Sequence, residues 1–149
     1  GEVLVVDDDA SIRTMLAYVF HDAGYEVVEA ADGREALDRL RKAAPALMIL
    51  DLMMPEVDGV RVLRTRREDR LAAGTRILVL TAKTDTQDMV WCWELGADEY
   101  LTKPVDPDRL LREGTALLAR SPEELRTRRE QGLAEARRLD AMEAAFRPK

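Results

Sequence analysis

The sequence carries one cysteine, Cys92, and one histidine, His21, in 149 residues. A lone cysteine excludes an internal disulfide and any zinc site built on several thiolates, and it points to a reducing cytoplasm. A lone histidine excludes a multi-histidine metal site. No run of about 18 apolar residues occurs, so no segment is read as crossing a membrane. Asp7-Asp8-Asp9 interrupts the early apolar run, which is wrong for a secretory signal. A basic excess is missing too, since 23 Lys and Arg stand against 29 Asp and Glu for a net charge of −6. Such a chain is expected to make no direct contact with nucleic acid, because a basic face supplies most of that affinity. Internal repeats and low-complexity segments are absent as well.

What is present is the mix of a soluble globular protein, 46% hydrophobic and 35% charged. A chain of this length makes one domain, or one domain with an appendage. It buries roughly two-thirds of its unfolded surface and needs no staple to fold. It opens at Gly1 rather than at methionine, so we expect its natural ends to lie outside the sequence. Charge is uneven. Residues 121–149 hold seven basic and six acidic side chains, which leaves about −7 on residues 1–120.

Along the chain, apolar runs alternate with helical patterns. Runs at 2–6, 25–30, 46–50, 76–80 and 99–102 read as strands, and residues 11–23, 33–44, 59–72, 86–95 and 106–120 read as helices. Strict alternation favours a parallel sheet covered by helices on both faces. The strands are continuous apolar runs, as a sheet buried on both sides requires.

Ligands of an open parallel sheet bind outside the carboxyl ends of its strands. Here the first strand ends in Asp7-Asp8, the third in Asp51 and the fourth in Thr81, while the fifth leads to Lys103. Three crowded carboxylates repel unless a cation lies among them. Oxygen ligands in this number suit Mg²⁺. A lysine and a hydroxyl alongside supply the charge and the hydrogen bond that a phosphoryl group needs.

Four segments, in this order and spacing, carry a family resemblance: Val5-Val6-Asp7-Asp8-Asp9, the stretch Leu50 to Gly59 around Asp51 and Pro55, Leu80-Thr81-Ala82, and Gly96 to Pro104. Over residues 2–120 the chain resembles a response-regulator receiver domain of two-component signalling. The resemblance implies a doubly wound, flavodoxin-like sheet of order 2-1-3-4-5, with residues 1–120 as receiver and 121–149 as a helical tail or linker. It implies that Asp51 accepts a phosphoryl group from the phosphohistidine of a sensor histidine kinase or phosphotransfer protein. Asp7, Asp8, Asp51 and the backbone carbonyl of Met53 would hold Mg²⁺. Lys103 would contact the phosphoryl group, with the Lys103–Pro104 bond cis, and Thr81 and Tyr100 would report phosphorylation. Val105 stands where many members of the family carry an aromatic, and the resemblance implies that Met53 and Lys83, two residues after Asp51 and Thr81, tune the lifetime of the phosphoryl group.

Plainer roles compete at each position. An Asp pair after a strand often caps a helix, and Asp9 is placed to cap the first one. Asp51 and Lys103 could be a solvated strand end and a turn lysine, and Thr81 and Tyr100 ordinary strand residues. Cys92 reads as a small buried side chain, and His21 as a residue at a helix C-terminus. Trp91 and Trp93 point about 200° apart on a helix, so both cannot pack inward. The exposed one marks an interface, and a second copy could dock on the face made by the fourth helix, fifth strand and fifth helix.

Ser121-Pro122-Glu123-Glu124 is a capping box with proline at the first helical position. The helix it starts runs to about Phe146. Leu111, Leu118, Leu125, Leu139 and Phe146 fall on a seven-residue spacing, but Gly132 fills the missing place. Arg128 and Glu135 stand at neighbouring seam positions. That seam is too poor for a coiled coil, so a mostly solvated linker helix is expected, one that either packs back on the receiver or leads to an output domain. The favoured function is a phospho-acceptor switch. Its rivals are a metal-dependent phosphohydrolase acting through an aspartyl phosphate and a phosphorylation-independent interaction domain.

Overall fold

The computed structural model describes residues 1–83 and 85–148, so Lys149 of the expected tail lies outside it. Its strands are β1 (Glu2–Val6), β2 (Glu26–Ala30), β3 (Leu47–Leu50), β4 (Arg76–Thr81) and β5 (Glu99–Thr102). Its helices are α1 (Ala10–Asp22), α2 (Gly33–Lys42), α3 (Gly59–Glu68), α4 (Thr86–Glu94), α5 (Pro107–Ala119) and α6 (Pro122–Phe146).

All strand pairs are parallel, in the order β2-β1-β3-β4-β5. Alternate strand residues serve opposite faces. Leu4, Val6, Met48, Leu50, Ile77 and Val79 meet Ala36, Leu37 and Leu40 of α2, Val62 and Leu63 of α3 and Cys92 of α4. Val3, Val5, Leu47, Ile49, Leu78 and Leu80 meet Leu16 and Phe20 of α1 and Leu110 and Leu117 of α5 on the other side. Each fully buried side chain of this size contributes about 1.5–3 kcal/mol. The sheet is thus doubly wound, with a C-terminal helix added.

Helix starts follow their caps. Asp9, Asp32, Asp58, Asp85 and Asp106 each accept a first-turn N–H with the side chain. Ser121 and Glu124 form the reciprocal capping box that opens α6. Each cap stabilises its helix by about 1 kcal/mol.

One expectation is corrected and one open question is answered. The helix expected over 59–72 stops at Glu68, and Arg70 and Ala72 adopt left-handed backbone with φ of 54° and 47°. The reversal leaves Leu71 packed against the α3 side of the core. The tail helix, most of its side chains still exposed, takes the course of packing back on the receiver. α6 lies along α4 and touches β5, with Leu125 in the α1–α5 core and Gly132 against the Trp93 indole. Among the described residues no helix is long and apolar enough to cross a membrane.

Candidate functional site

The carboxyl edge of the sheet gathers the acids. The Asp7 amide donates to Ala30 O at 3.2 Å and the Asp51 amide to Val6 O at 3.0 Å, so both residues prolong the β-ladder by one step. Each is therefore held by backbone at the end of an apolar strand, and their exposures are only 2% and 5%. Asp8 follows on the open side. One oxygen from each of Asp7, Asp8 and Asp51 lies within 4.8 Å of the others.

Lys103 closes the group. Its Nζ donates to Asp7 Oδ2 at 2.8 Å and to Asp51 Oδ2 at 2.9 Å. Its amide donates to Thr81 O at 2.8 Å, and the Lys103–Pro104 bond is cis. Burial alone would lower the ammonium pKa, but the bonds to Asp7 and Asp51 outweigh it and hold Lys103 above the ordinary lysine value. The remaining carboxylate oxygens are tied to main chain. Asp7 Oδ1 accepts the Asp9 amide at 2.9 Å and Asp51 Oδ1 the Met53 amide at 3.1 Å. The Met53 side chain is exposed. Three carboxylates facing one ammonium form an oxygen-rich, net anionic cradle, and hard oxygen donors of this kind fit Mg²⁺.

Thr81 is fully buried at the end of β4, and its Oγ1 accepts the Lys83 amide at 3.1 Å. Tyr100, half-buried on β5, donates its hydroxyl to Lys83 O at 2.7 Å. Thr81 and Tyr100 therefore hold the same residue. Burial, with Cys92 and Asp88 nearby, raises the Tyr100 pKa, so the hydroxyl stays a donor. The Lys83 ammonium pairs with Asp88 at 2.8 Å, a bond that raises its own pKa.

Some participants were not read from the sequence. Arg13 donates to Asp7 O at 2.7 Å and to Glu29 at 3.2 Å, bracing the first acid from α1. A pocket of about 440 Å³ opens beside Lys103, lined by Ile12, Met15, Leu80, Pro104 and Val105. Trp93 is buried at 5% exposure, while Trp91 stays 38% exposed. The two rings do diverge, but α6 rather than the sheet covers Trp93. The face expected to receive a second copy is thus already taken by α6 over α4 and β5. Cys92 is buried, and burial pushes its thiol up to about 12, away from thiolate chemistry.

A family model described as response regulator receiver domain matches residues 3–113. The chain is 43% identical over 120 residues to the alkaline phosphatase synthesis transcriptional regulatory protein PhoP of Bacillus subtilis, covering 80% of this chain and 49% of that protein. It is 43% identical over 122 residues to the DNA-binding response regulator MtrA of Mycobacterium tuberculosis, covering 82% and 52%. The chain therefore spans about half the length of these relatives. The Vibrio cholerae chemotaxis protein CheY4 superposes with a TM-score of 0.73 at 38% identity, covering 78% of this chain and 98% of that one. The Thermotoga maritima response regulator TrrA, solved with Mg²⁺ and BeF, gives 0.69 at 33% identity, covering 78% and 97%.

These relatives overturn the expectation of no direct nucleic-acid binding, since MtrA is a DNA-binding regulator and PhoP a transcriptional one. A net charge of −6 averages over the chain. It bears on solubility and on association rates, not on what a regulator carrying such a chain contacts.

Proposed function

The chain belongs to the response regulator receiver family, and on that premise we propose that it is a phospho-acceptor switch in which Asp51 takes a phosphoryl group. The observation that carries the reading is Lys103 Nζ bonded to both Asp7 and Asp51, with Asp8 alongside.

Asp7, Asp8, Asp51 and the Met53 carbonyl would hold Mg²⁺. When bound, the ion neutralises the crowded carboxylates and the oxygens of an arriving phosphoryl group. The chain's own residues supply the rest. An Asp51 carboxylate oxygen attacks phosphorus, and the P–N bond of a phosphohistidine on a sensor histidine kinase or phosphotransfer protein breaks, leaving imidazole. Lys103 then offers its ammonium to a phosphoryl oxygen. Thr81 Oγ1 already accepts the Lys83 amide, which leaves its own proton free for a second phosphoryl oxygen. Because the donor contributes only the phosphohistidine, the catalysis belongs to the receiver itself.

Drawing Thr81 toward the phosphoryl group loosens its hold on Lys83, and Tyr100 on the next strand is the side chain that responds. The relatives' roles favour an output on DNA, and a cytoplasmic setting goes with such a role. A hydrolase reading is disfavoured, because Met53, two residues past Asp51, has no proton to give a leaving group. The test is incubation with acetyl phosphate and Mg²⁺. Intact mass should rise by one phosphoryl group, EDTA should prevent the rise, and Asp51→Asn should abolish it. Equal labelling of the Asn variant would refute the assignment.

A further inference from the structure

α6 has a firm end and a loose end. At the firm end the Arg128 guanidinium stands 5.0 Å over the Trp93 ring and bonds Glu99 at 2.8 and 3.2 Å. Arg129 bonds Asp98 at 2.6 Å. Asp98 and Glu99 are buried acids, and a buried charge without a partner is costly. Gly132 permits the close seat, because a Cβ there would overlap the indole of Trp93.

The loose end is built differently. A cavity of about 710 Å³ opens under it, lined by Met89 of α4 and by Leu139, Met142 and Phe146 of α6. Met142 and Phe146 are largely exposed. Arg137 bonds Glu94 at 2.9 Å on an exposed edge, and the polar link nearest the end is the Thr86 hydroxyl, 2.8 Å from Asp140 and 2.9 Å from Glu143. A hydroxyl has one proton, so it is shared between two carboxylates, with Arg147 drawn against both. Thr86 begins α4, just beyond Lys83, the residue that Thr81 and Tyr100 hold.

We propose that the face formed by α4 and β5 is a helix-docking surface whose resident occupant, α6, is released from its loose end when Asp51 is phosphorylated. The inference rests on the phospho-acceptor reading. Withdrawing Thr81 frees Lys83, the start of α4 shifts, and the single Thr86 contact to Asp140 and Glu143 breaks first. The surface laid bare first is the apolar strip around Met89 under the loose end; beyond it lies the indole rimmed by Glu94, Asp98 and Glu99, which the firm end covers. The whole surface fits a helix bearing adjacent arginines a turn ahead of a small residue, as Arg128, Arg129 and Gly132 stand in α6.

Amide exchange on the full chain tests this, with beryllofluoride and Mg²⁺ as the phosphoryl mimic and intact mass after acetyl phosphate as a separate control. Exchange over residues 132–146 should rise at least five-fold, the low end of ordinary coupling between sites. Coupling is reciprocal, so Gly132→Ala, which lifts α6, should bind beryllofluoride tighter by a similar factor. Asp140→Ala with Glu143→Ala, which cuts the Thr86 link on an open surface, should do the same if the first variant folds poorly. A chain that takes the phosphoryl group yet shows unchanged exchange overturns the docking switch and leaves the acceptor reading standing. A chain that takes no phosphoryl group overturns both.

Discussion

The Lys103 ammonium lies 2.9 Å from Asp51 Oδ2, although β5 and β3 are not neighbours and β4 runs between them. The contact spans the carboxyl edge of the sheet. Among the described residues it makes one lysine the sole ammonium shared by two nearly buried acids, Asp7 and Asp51.

Removing that ammonium should be felt most without metal. Lys103→Met leaves Asp7 and Asp51 facing each other, a loss of roughly 1–3 kcal/mol for strongly desolvated groups. Thermal melts in EDTA should show the deficit, and Mg²⁺ should restore more stability to the variant than it adds to the parent. A variant melting like the parent in EDTA would deny Lys103 its balancing role.

Asp8→Ala should act in the opposite sense. Relieving one of three crowded acids should stabilise the metal-free fold by about 0.5 kcal/mol, in the range of an exposed charge contact. Mg²⁺ titration should at the same time show weaker binding, and acetyl phosphate slower labelling. A lower melting temperature in EDTA would contradict the repulsion argument.

Thr81→Ala should separate chemistry from response. The variant should still be phosphorylated on Asp51, more slowly for want of one hydrogen bond. Beryllofluoride with Mg²⁺ should change the tryptophan emission of the parent through Trp91 and Trp93 of α4, and the variant should lose that change, since the pull on Lys83 is gone. Emission that responds like the parent's would rule out the Thr81–Tyr100 route.

Cys92 makes the pH prediction. Burial, then the nearby charge of Asp88, pushes its thiol from the ordinary 9.0 up to about 12. Folding therefore holds a proton that the unfolded chain gives up above pH 9, so stability is fully present below that pH and falls as pH rises toward 12. Cys92→Ala should flatten this stretch of the stability curve. The native thiol should also resist a disulfide reagent at pH 8 and react once denaturant is added.

The parallel sheet, the acids at the strand ends, Lys103 and Thr81 were legible because each is tied to main-chain pattern, while the strand order came only with the family resemblance. An apolar run that ends in Asp puts that Asp on the sheet edge wherever the helices go. α6 was not legible in the same way. Its seven-residue spacing broke at Gly132, and against a second helix that gap is a defect. Against the Trp93 ring it is the fit itself, a partner that lies 39 positions earlier and belongs to no repeat. Arg128 likewise spoils a coiled-coil seam but satisfies buried Glu99. The early end of α3 was hidden for a related reason, because Leu71 reaches the core through two left-handed residues that no helical spacing announces.

The most direct measurement is the chemical identity of residue 51 after phosphorylation. Treating the acetyl-phosphate-labelled chain with borohydride converts an aspartyl phosphate to homoserine, which peptide mapping locates. The account predicts homoserine at position 51 alone, formed only when Mg²⁺ is present. Homoserine at position 7 or 8, or none anywhere, would contradict it.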